Sequence, residues 1–224
     1  MKITEELSAA ARDYRLFLER GYPDSTLKKV VGDRHRLSGE ERLILFRGVA
    51  TSALDRSRSE KRLPPKAVAE RTLLIDFYNV AFTLLNYRLG RPLFRSTDSF
   101  VRDAGALHGR LGKDERLEWV LPPLMDTLAH HTPRSVRFFL DAPVSHSAAH
   151  AARVEVAGEE CSFPVSANLV PSADHPLKRR APGELIATGD SAVIDAVPEG
   201  VIDLSSAVLK EAFDFDPPDL RRLI

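Results

Sequence analysis

Arg71-Thr-Leu-Leu-Ile-Asp76-Phe-Tyr-Asn79-Val80 decides how this chain is read. A short apolar run ends in a carboxylate, and after two intervening residues comes an amide. Apolar runs of this length with polar flanks read as strands buried on both faces, the kind found in parallel sheets. In open parallel sheets the ligand crevice lies beyond the carboxyl ends of the strands, so Asp76 is expected at such an edge.

The same grammar recurs down the chain. Ser135-Val-Arg-Phe-Phe-Leu-Asp141 is an apolar strand ending in aspartate. Glu184-Leu-Ile-Ala-Thr188-Gly-Asp190-Ser191 is another, with Asp195 about one helical turn later, and Val201-Ile-Asp203 is a fourth. Between them lie helical patterns: Val80, Phe82, Leu84 and Leu85; two segments around residues 114–121 and 123–131, separated by Pro122-Pro123; and a small-residue helix capped by Ser145 and running to about Arg153. Leu93-Phe94 opens a short strand. Strands alternating with helices predict an α/β sandwich with a mainly parallel sheet.

Upstream, Leu7, Ala11, Tyr14 and Leu18 share one helical face that stops at Gly21-Tyr-Pro23. Asp24 or Ser25 is expected to cap a second helix ending near Gly32, and Ser38-Gly-Glu-Glu41 has capping-box spacing for a third through Leu43, Phe46, Ala50 and Leu54. The expected organisation is a small helical domain over 1–58, helix-turn-helix-like and basic, a linker over 59–70, and an α/β domain over 71–224. Residues 1–66 hold 15 Lys/Arg against 10 Asp/Glu, whereas the remainder holds 17 against 22. This asymmetry predicts a polyanion-facing front and a carboxylate-rich back, the alternative being an accident of surface composition. A single cysteine, Cys161, precludes an intramolecular disulfide and points to a reducing, cytoplasmic compartment. No apolar run approaches the roughly 18–20 residues needed to span a bilayer.

Strands of a parallel sheet end on one side, so Asp76, Asp141 and Asp190 are expected to converge. Carboxylates held close repel unless one is protonated or a cation lies between them. All-oxygen donors suit a hard divalent ion, Mg²⁺ or Mn²⁺, and such ions support phosphodiester hydrolysis. Bland readings compete. Asp190 and Asp203 could be helix N-caps, and Asp98 and Asp103 could pair with Arg95 and Arg102 on the surface.

The block Ile75-Asp76-Phe-Tyr-Asn79-Val80 is similar to the Asp-Gly-Tyr-Asn opening strand of PIN-like nucleases of the NYN type, departing from it at Phe77, where that pattern has glycine. Thr188-Gly-Asp190, followed by Asp195, resembles the late Thr-x-Asp motif of that superfamily. The whole chain resembles a prokaryotic family of unknown function that joins a small N-terminal helical domain to a PIN-like three-layer domain. The matching blocks are Arg20-Gly-Tyr-Pro23, Val31-Gly-Asp-Arg34, Asp98-Ser-Phe-Val-Arg-Asp103, Leu140-Asp-Ala-Pro-Val-Ser145 and Gly189-Asp-Ser191. The resemblance implies a fold and an active site, and taken with the converging aspartates it leads to the expectation of a metal-dependent nuclease acting on RNA before DNA. Asp76, Asp141 and Asp190 are then the metal ligands, with Asp98, Asp103 and Asp195 completing the shell or orienting water. Asn79, Ser145 and Ser191 position phosphate, and Arg102 neutralises charge on the scissile group. Nucleic acid is the expected partner and a membrane is not; self-association into a homo-oligomer stays open.

Two rival readings stand beside this one. The first is a non-catalytic nucleic-acid-binding or scaffold protein on the same fold. The second is a phosphoaspartyl phosphohydrolase, disfavoured because position 78 is tyrosine where a second aspartate is needed. His146 and His150 have zinc-compatible spacing but no third soft ligand. His130-His131 read as partners of a helix C-terminal dipole. Gly105, Gly109 and Gly112 build no phosphate loop, and no Gly-x-Ser-x-Gly supports an acylating serine.

Overall fold

Six parallel strands form one sheet in the order β1-β8-β7-β2-β5-β6 in a computed structural model that describes residues 3–105 and 116–224. The strands are β1 (Arg62–Leu63), β2 (Thr72–Asp76), β5 (Ser135–Asp141), β6 (Val165–Val170), β7 (Leu185–Ala187) and β8 (Val201–Ile202). Every residue of β2 is buried, as its unbroken apolar run requires of a central strand covered on both faces. A helical region, from α1 (Glu5–Glu19) to α4 (Ser52–Lys61), precedes the sheet, giving the predicted helical front followed by an α/β part.

The winding follows from crossover handedness. From β2 the chain moves to β5 and β6 on one side, then returns to β7 and β8 on the other. Right-handed crossovers put helices of the two journeys on opposite faces of the sheet. The packing agrees. Helix α6 (Leu117–His130) touches both α7 (Ser147–Gly158) and α10 (Leu204–Phe213), while α8 (Asp174–Lys178) touches α9 (Ser191–Ala196) and β2. The result is a three-layer α/β arrangement that reverses direction between β2 and β7.

The chain divides into two units. One comprises Met1–Glu60, Asn86–Ala106 and Pro217–Ile224; the other comprises Lys61–Leu85 and Leu107–Asp216 and carries the sheet. Helix α5 (Phe77–Arg88) leaves β2 within the second unit and ends in the first. The stretch expected as a linker, 59–70, holds the end of α4 (Ser52–Lys61), strand β1 and a 3₁₀ turn, Pro65–Val68.

In the first unit, α1 (Glu5–Glu19), α2 (Asp24–Arg34) and α3 (Gly39–Gly48) enclose a core of Leu7, Tyr14, Leu27, Ile44 and Leu45. A β-hairpin, β3 (Leu93–Arg95) with β4 (Val101–Asp103), supplies Phe94 to that core. The expected Ser38 capping box is present. Four helices form where three were expected, because the third stops at Gly48. There Thr97 donates its amide to the Gly48 carbonyl at 2.8 Å, and its hydroxyl accepts from the Ala50 amide at 3.1 Å, so the hairpin loop takes the groups that would continue the helix. Gly48 also lies so close to Leu220 and Phe94 that a Cβ there would fall 2.5 Å and 2.7 Å from their side chains.

Three further local expectations are corrected. Neither Asp24 nor Ser25 caps α2, whose N-cap is Pro23 without a side-chain bond; the Asp24 carboxylate instead accepts from the Tyr14 hydroxyl. Ser145 does not cap α7: His146, in the left-handed region at φ 66°, occupies that position without a cap bond. The pair of helices expected on either side of Pro122-Pro123 is one helix, α6. Prolines inside a helix remove two amide donors, and the first of them lies on the exposed side, where water can satisfy the carbonyls left open. The expected start of the first of those helices, at 114–115, lies outside the described residues, as do Gly109 and Gly112. Among the described residues no helix is long and apolar enough to cross a membrane.

Candidate functional site

Register brings the aspartates to one edge. Asp76 pairs with Phe139 of β5, two residues before Asp141; Ile75 pairs with Ala187 of β7, so Thr188 stands beside Asp76 and Asp190 lies two residues beyond. This edge is also where the sheet reverses. Tyr78, at the start of α5, meets His150 of α7 on one face, whereas the chain leaving β7 enters α9 beside α8. Chains parting to opposite faces leave a crevice between β2 and β7, the topological switch point at which open α/β sheets bind ligands.

A small hydrogen-bond network ties the crevice together. The Thr188 hydroxyl donates to Asp76 Oδ2 at 2.9 Å and accepts from the Asp190 amide at 3.1 Å. Asn79 donates its amide to Asp76 Oδ1 at 3.4 Å, and its side-chain Oδ1 accepts from the Gly189 amide at 2.6 Å. Asn79 thus clasps the loop after β7 to the first turn of α5. Asp141 Oδ1 accepts from the Ala173 amide at 2.7 Å. Among the described residues no lysine or arginine forms an ion pair with Asp76, Asp141 or Asp190.

Asp76 feels this most. Burial, reinforced by the charges of Asp141 and Asp190 and only partly offset by the Thr188 and Asn79 bonds, pushes its pKa up to about 7. Behind it Tyr78 donates to or accepts from His150 Nδ1 at 3.0 Å; burial and the Asp141 charge raise its phenol above the usual range. Phe77, the departure from the glycine of the NYN pattern, is fully buried and packs edge-on against Phe138. Its side chain therefore points into the core and does not occupy the crevice.

The bland readings of Asp190 and Asp203 are realised alongside. Asp190 is the N-cap of α9, accepting from the Ala192 amide at 2.7 Å, and Asp203 caps α10 through the Ser206 amide at 3.1 Å. At Asp190 the cap uses one carboxylate oxygen and leaves the other available, whereas the second oxygen of Asp203 faces Arg62 at 3.8 Å. Ser191 opens α9, Asp195 is exposed on it, and Ser145 is exposed after β5.

Asp98, Asp103 and Arg102 belong to the other unit, on the β3–β4 hairpin. Asp98 is gripped by both terminal nitrogens of Arg102, at 2.8 and 2.9 Å, and by Arg58 at 3.2 Å; these pairs are buried, not on the surface as expected. Asp103 pairs with Arg47 at 3.2 Å. Their charges are met by arginines of their own unit, and Arg42 of that unit pairs with Asp33. The basic front of the chain is therefore partly neutralised from within.

The crevice residues can be tested against a hard divalent ion. Among the described residues Asp76, Asp141 and Asp190 do not bring their oxygens all within 4.8 Å of one another. An octahedral Mg²⁺ with bonds near 2.1 Å keeps all its ligands within about 4.2 Å. A cage of three directly bound carboxylates does not fit this arrangement. Mg²⁺ usually keeps several waters and takes one or two carboxylates directly, so a third carboxylate can be reached through water.

Thr188 and Gly189 join this network although the aspartate pattern did not single them out. Their signal was the Thr-Gly-Asp triplet itself, which gains meaning only once β7 is set beside β2. A second cluster, His130, His131 and Glu211, brings its donor atoms within 4.8 Å of one another. No spacing signals it, since Glu211 lies some 80 residues from the histidines.

Fold and crevice define the class: a doubly wound α/β protein with an acidic switch-point crevice, preceded by a helical region. Residues 65–207 match the model of a domain of unknown function, DUF5616, and the chain belongs to that family. Residues 6–61 match a protein family of unknown function, DUF434, so the two matches meet where α4 gives way to β1. The chain is also similar to an uncharacterized protein, MJ0935, of Methanocaldococcus jannaschii, 26% identical over 188 residues that cover 84% of this chain and 88% of that protein. No solved structure matches the chain.

Proposed function

We propose that the α/β unit is a PIN-like, NYN-type domain and that its crevice hydrolyses phosphodiester bonds, RNA before DNA, with Mg²⁺ or Mn²⁺. The observation that carries this reading is a triplet of aspartates at the switch point with no basic partner among the described residues and with Asp76 raised to about 7. A divalent ion, when bound, would polarise a phosphoryl oxygen and acidify a water. Asp76 and Asp141 or Asp190 would hold it, the remaining carboxylate reaching it through water. Asn79 and Thr188 keep the two sides of the crevice in register, and the phosphate approaches past Ser191. The single cysteine fits a reducing, cytoplasmic setting.

A second reading has an observation of its own. Asp190 and Asp141 already serve as acceptors for backbone amides, so both carboxylates have a structural use. On that reading the protein binds nucleic acid or partners without turnover.

The two separate in one experiment. Mixed single-stranded and structured RNA is incubated with Mn²⁺, with EDTA, and with the Asp76→Asn variant. The nuclease reading expects cleavage that needs metal and disappears in the variant. RNA retention that persists in EDTA, with no substrate cut, would establish the non-catalytic reading instead.

A further inference from the structure

At the opposite edge of the sheet, His130, His131 and Glu211 come together. His130 is the last residue of α6 and His131 its C-cap; Glu211 lies in the last turn of α10. Four residues after His131 the chain enters β5, whose far end is Asp141. Seven strand residues span about 23 Å, so this cluster is remote from the acidic crevice.

One carboxylate faces two imidazoles. His130 Nδ1 is 3.2 Å from Glu211 Oε2, and His131 Nε2 is 2.8 Å from Glu211 Oε1. The rings stack at 24° with centroids 4.8 Å apart, and a nitrogen of each faces the Glu211 carboxylate. All three donor atoms lie within 4.8 Å of one another. A tetrahedral zinc site with bonds near 2.0–2.1 Å has edges of about 3.3 Å, so donor atoms already within 4.8 Å of one another need to close by about 1.5 Å at most. Two imidazoles and a carboxylate suit Zn²⁺ and are poor ligands for Mg²⁺. The carbonyl end of α6 adds a field that favours a cation there.

The surroundings point the same way. An open groove of about 590 Å³ adjoins the cluster, lined by His130 and Glu211 together with Asp126, Trp119 and Phe213. Asp126 lies one helical turn before His130, so a fourth donor, an oxygen, borders the same groove. Trp119 and Phe213 stack at 5.1 Å and 9°, fixing α6 to α10. The two helices that would supply the ligands are thereby held together independently of any ion.

We propose that His130, His131 and Glu211 form a Zn²⁺ site at the amino edge of the sheet, with water or Asp126 in the fourth position. The ion ties the C-terminal turns of α6 and α10 together. This site is independent of the acidic crevice and of the chemistry proposed there.

The test is calorimetric titration of the metal-stripped full chain with Zn²⁺ in the presence of excess Mg²⁺. One zinc per chain with micromolar or tighter affinity is expected, unchanged in an Asp76→Asn/Asp190→Asn double variant. Glu211→Gln and His131→Ala should each weaken it about a hundredfold or more. His130→Ala, at an exposed position where folding is not at stake, should weaken it as well. Co²⁺ in place of zinc should give the strong visible absorption of a four-coordinate ion, absent in Glu211→Gln. Millimolar binding only, or zinc affinity that survives His130→Ala and Glu211→Gln, would overturn the site and leave the cluster a hydrogen-bonded clasp.

Discussion

In the first unit Asp98, 1% exposed, lies against Arg102, Arg58 and Ser96; in the second Asp76, 6% exposed, meets a threonine hydroxyl and a backbone amide. Burial penalises both charges. At Asp98 the two guanidiniums and the serine outweigh that penalty and hold the carboxyl below its ordinary value. At Asp76 burial prevails, helped by Asp141 and Asp190, and the carboxyl rises to about 7. The first acid is compensated by the protein's own cations and serves architecture. The second is held at an edge where its compensating charge has to come from outside, as a proton or a metal ion.

The largest effect should come from breaking the compensated side. Arg102→Ala leaves Asp98 buried with Arg58 as its remaining guanidinium, and removing one partner of a buried ion pair costs about 3–5 kcal/mol. Urea denaturation of Arg102→Ala should show that loss, and Asp98→Asn in the same chain should recover part of it. A loss under about 1 kcal/mol would mean that Arg58 and Ser96 suffice, and the contrast with Asp76 would narrow.

Removing the uncompensated charge should act in the other direction. Asp76 binds a proton more tightly folded, at about 7, than unfolded, near the ordinary 3.8. Its contribution is therefore fully present below about pH 4 and is lost as pH rises through 7. Asp76→Asn removes that dependence, so relative to wild type the variant gains stability between pH 4 and pH 8, by up to about 4 kcal/mol for a shift of this size. Denaturation midpoints across that range measure it. Saturating Mn²⁺ should recover part of the same stability in the wild type at pH 8, and none in Asp76→Asn. A flat difference between the two proteins from pH 4 to 8 would show that Asp76 is not raised.

Much of this contrast is legible in the sequence, for a reason that also sets its limit. An apolar run ending in aspartate names both the strand and the side of the sheet on which its last residue falls, so Asp76, Asp141 and Asp190 could be grouped without coordinates. Which face each following helix takes, and hence the reversal between β2 and β7, depends on strand order, which no local pattern encodes. Thr188 matters because register sets it beside Asp76. The hairpin shows a related limit: Asp98 and Asp103 have the residue type of metal ligands, and besides the local Arg102 their arginines, Arg58 and Arg47, come from helices 40 and 56 residues away in sequence. The break after Gly48 and the continuity of α6 through Pro122-Pro123 are likewise tertiary decisions overriding local propensity. His130, His131 and Glu211 meet only because α6 and α10 end at the same edge.

The smallest effect tests Asp190, which stands on both sides of the comparison. As the N-cap of α9 it is architecture; as a neighbour of Asp76 it is part of the uncompensated charge. Asp190→Ala should cost about 1 kcal/mol near pH 5, where the lost cap dominates. Asp190→Ser keeps an acceptor for the Ala192 amide and should stay within about 0.5 kcal/mol of wild type there. Near pH 8 both variants should regain ground, because one of the charges that raise Asp76 is gone. The serine variant then decides what Asp190 is for. If the Mn²⁺-dependent rise in Tm at pH 8 survives Asp190→Ser undiminished, Asp190 is a helix cap that happens to sit at the crevice. If that rise shrinks while metal-free stability at pH 5 holds, the second carboxylate oxygen serves the cation, and one residue does both tasks.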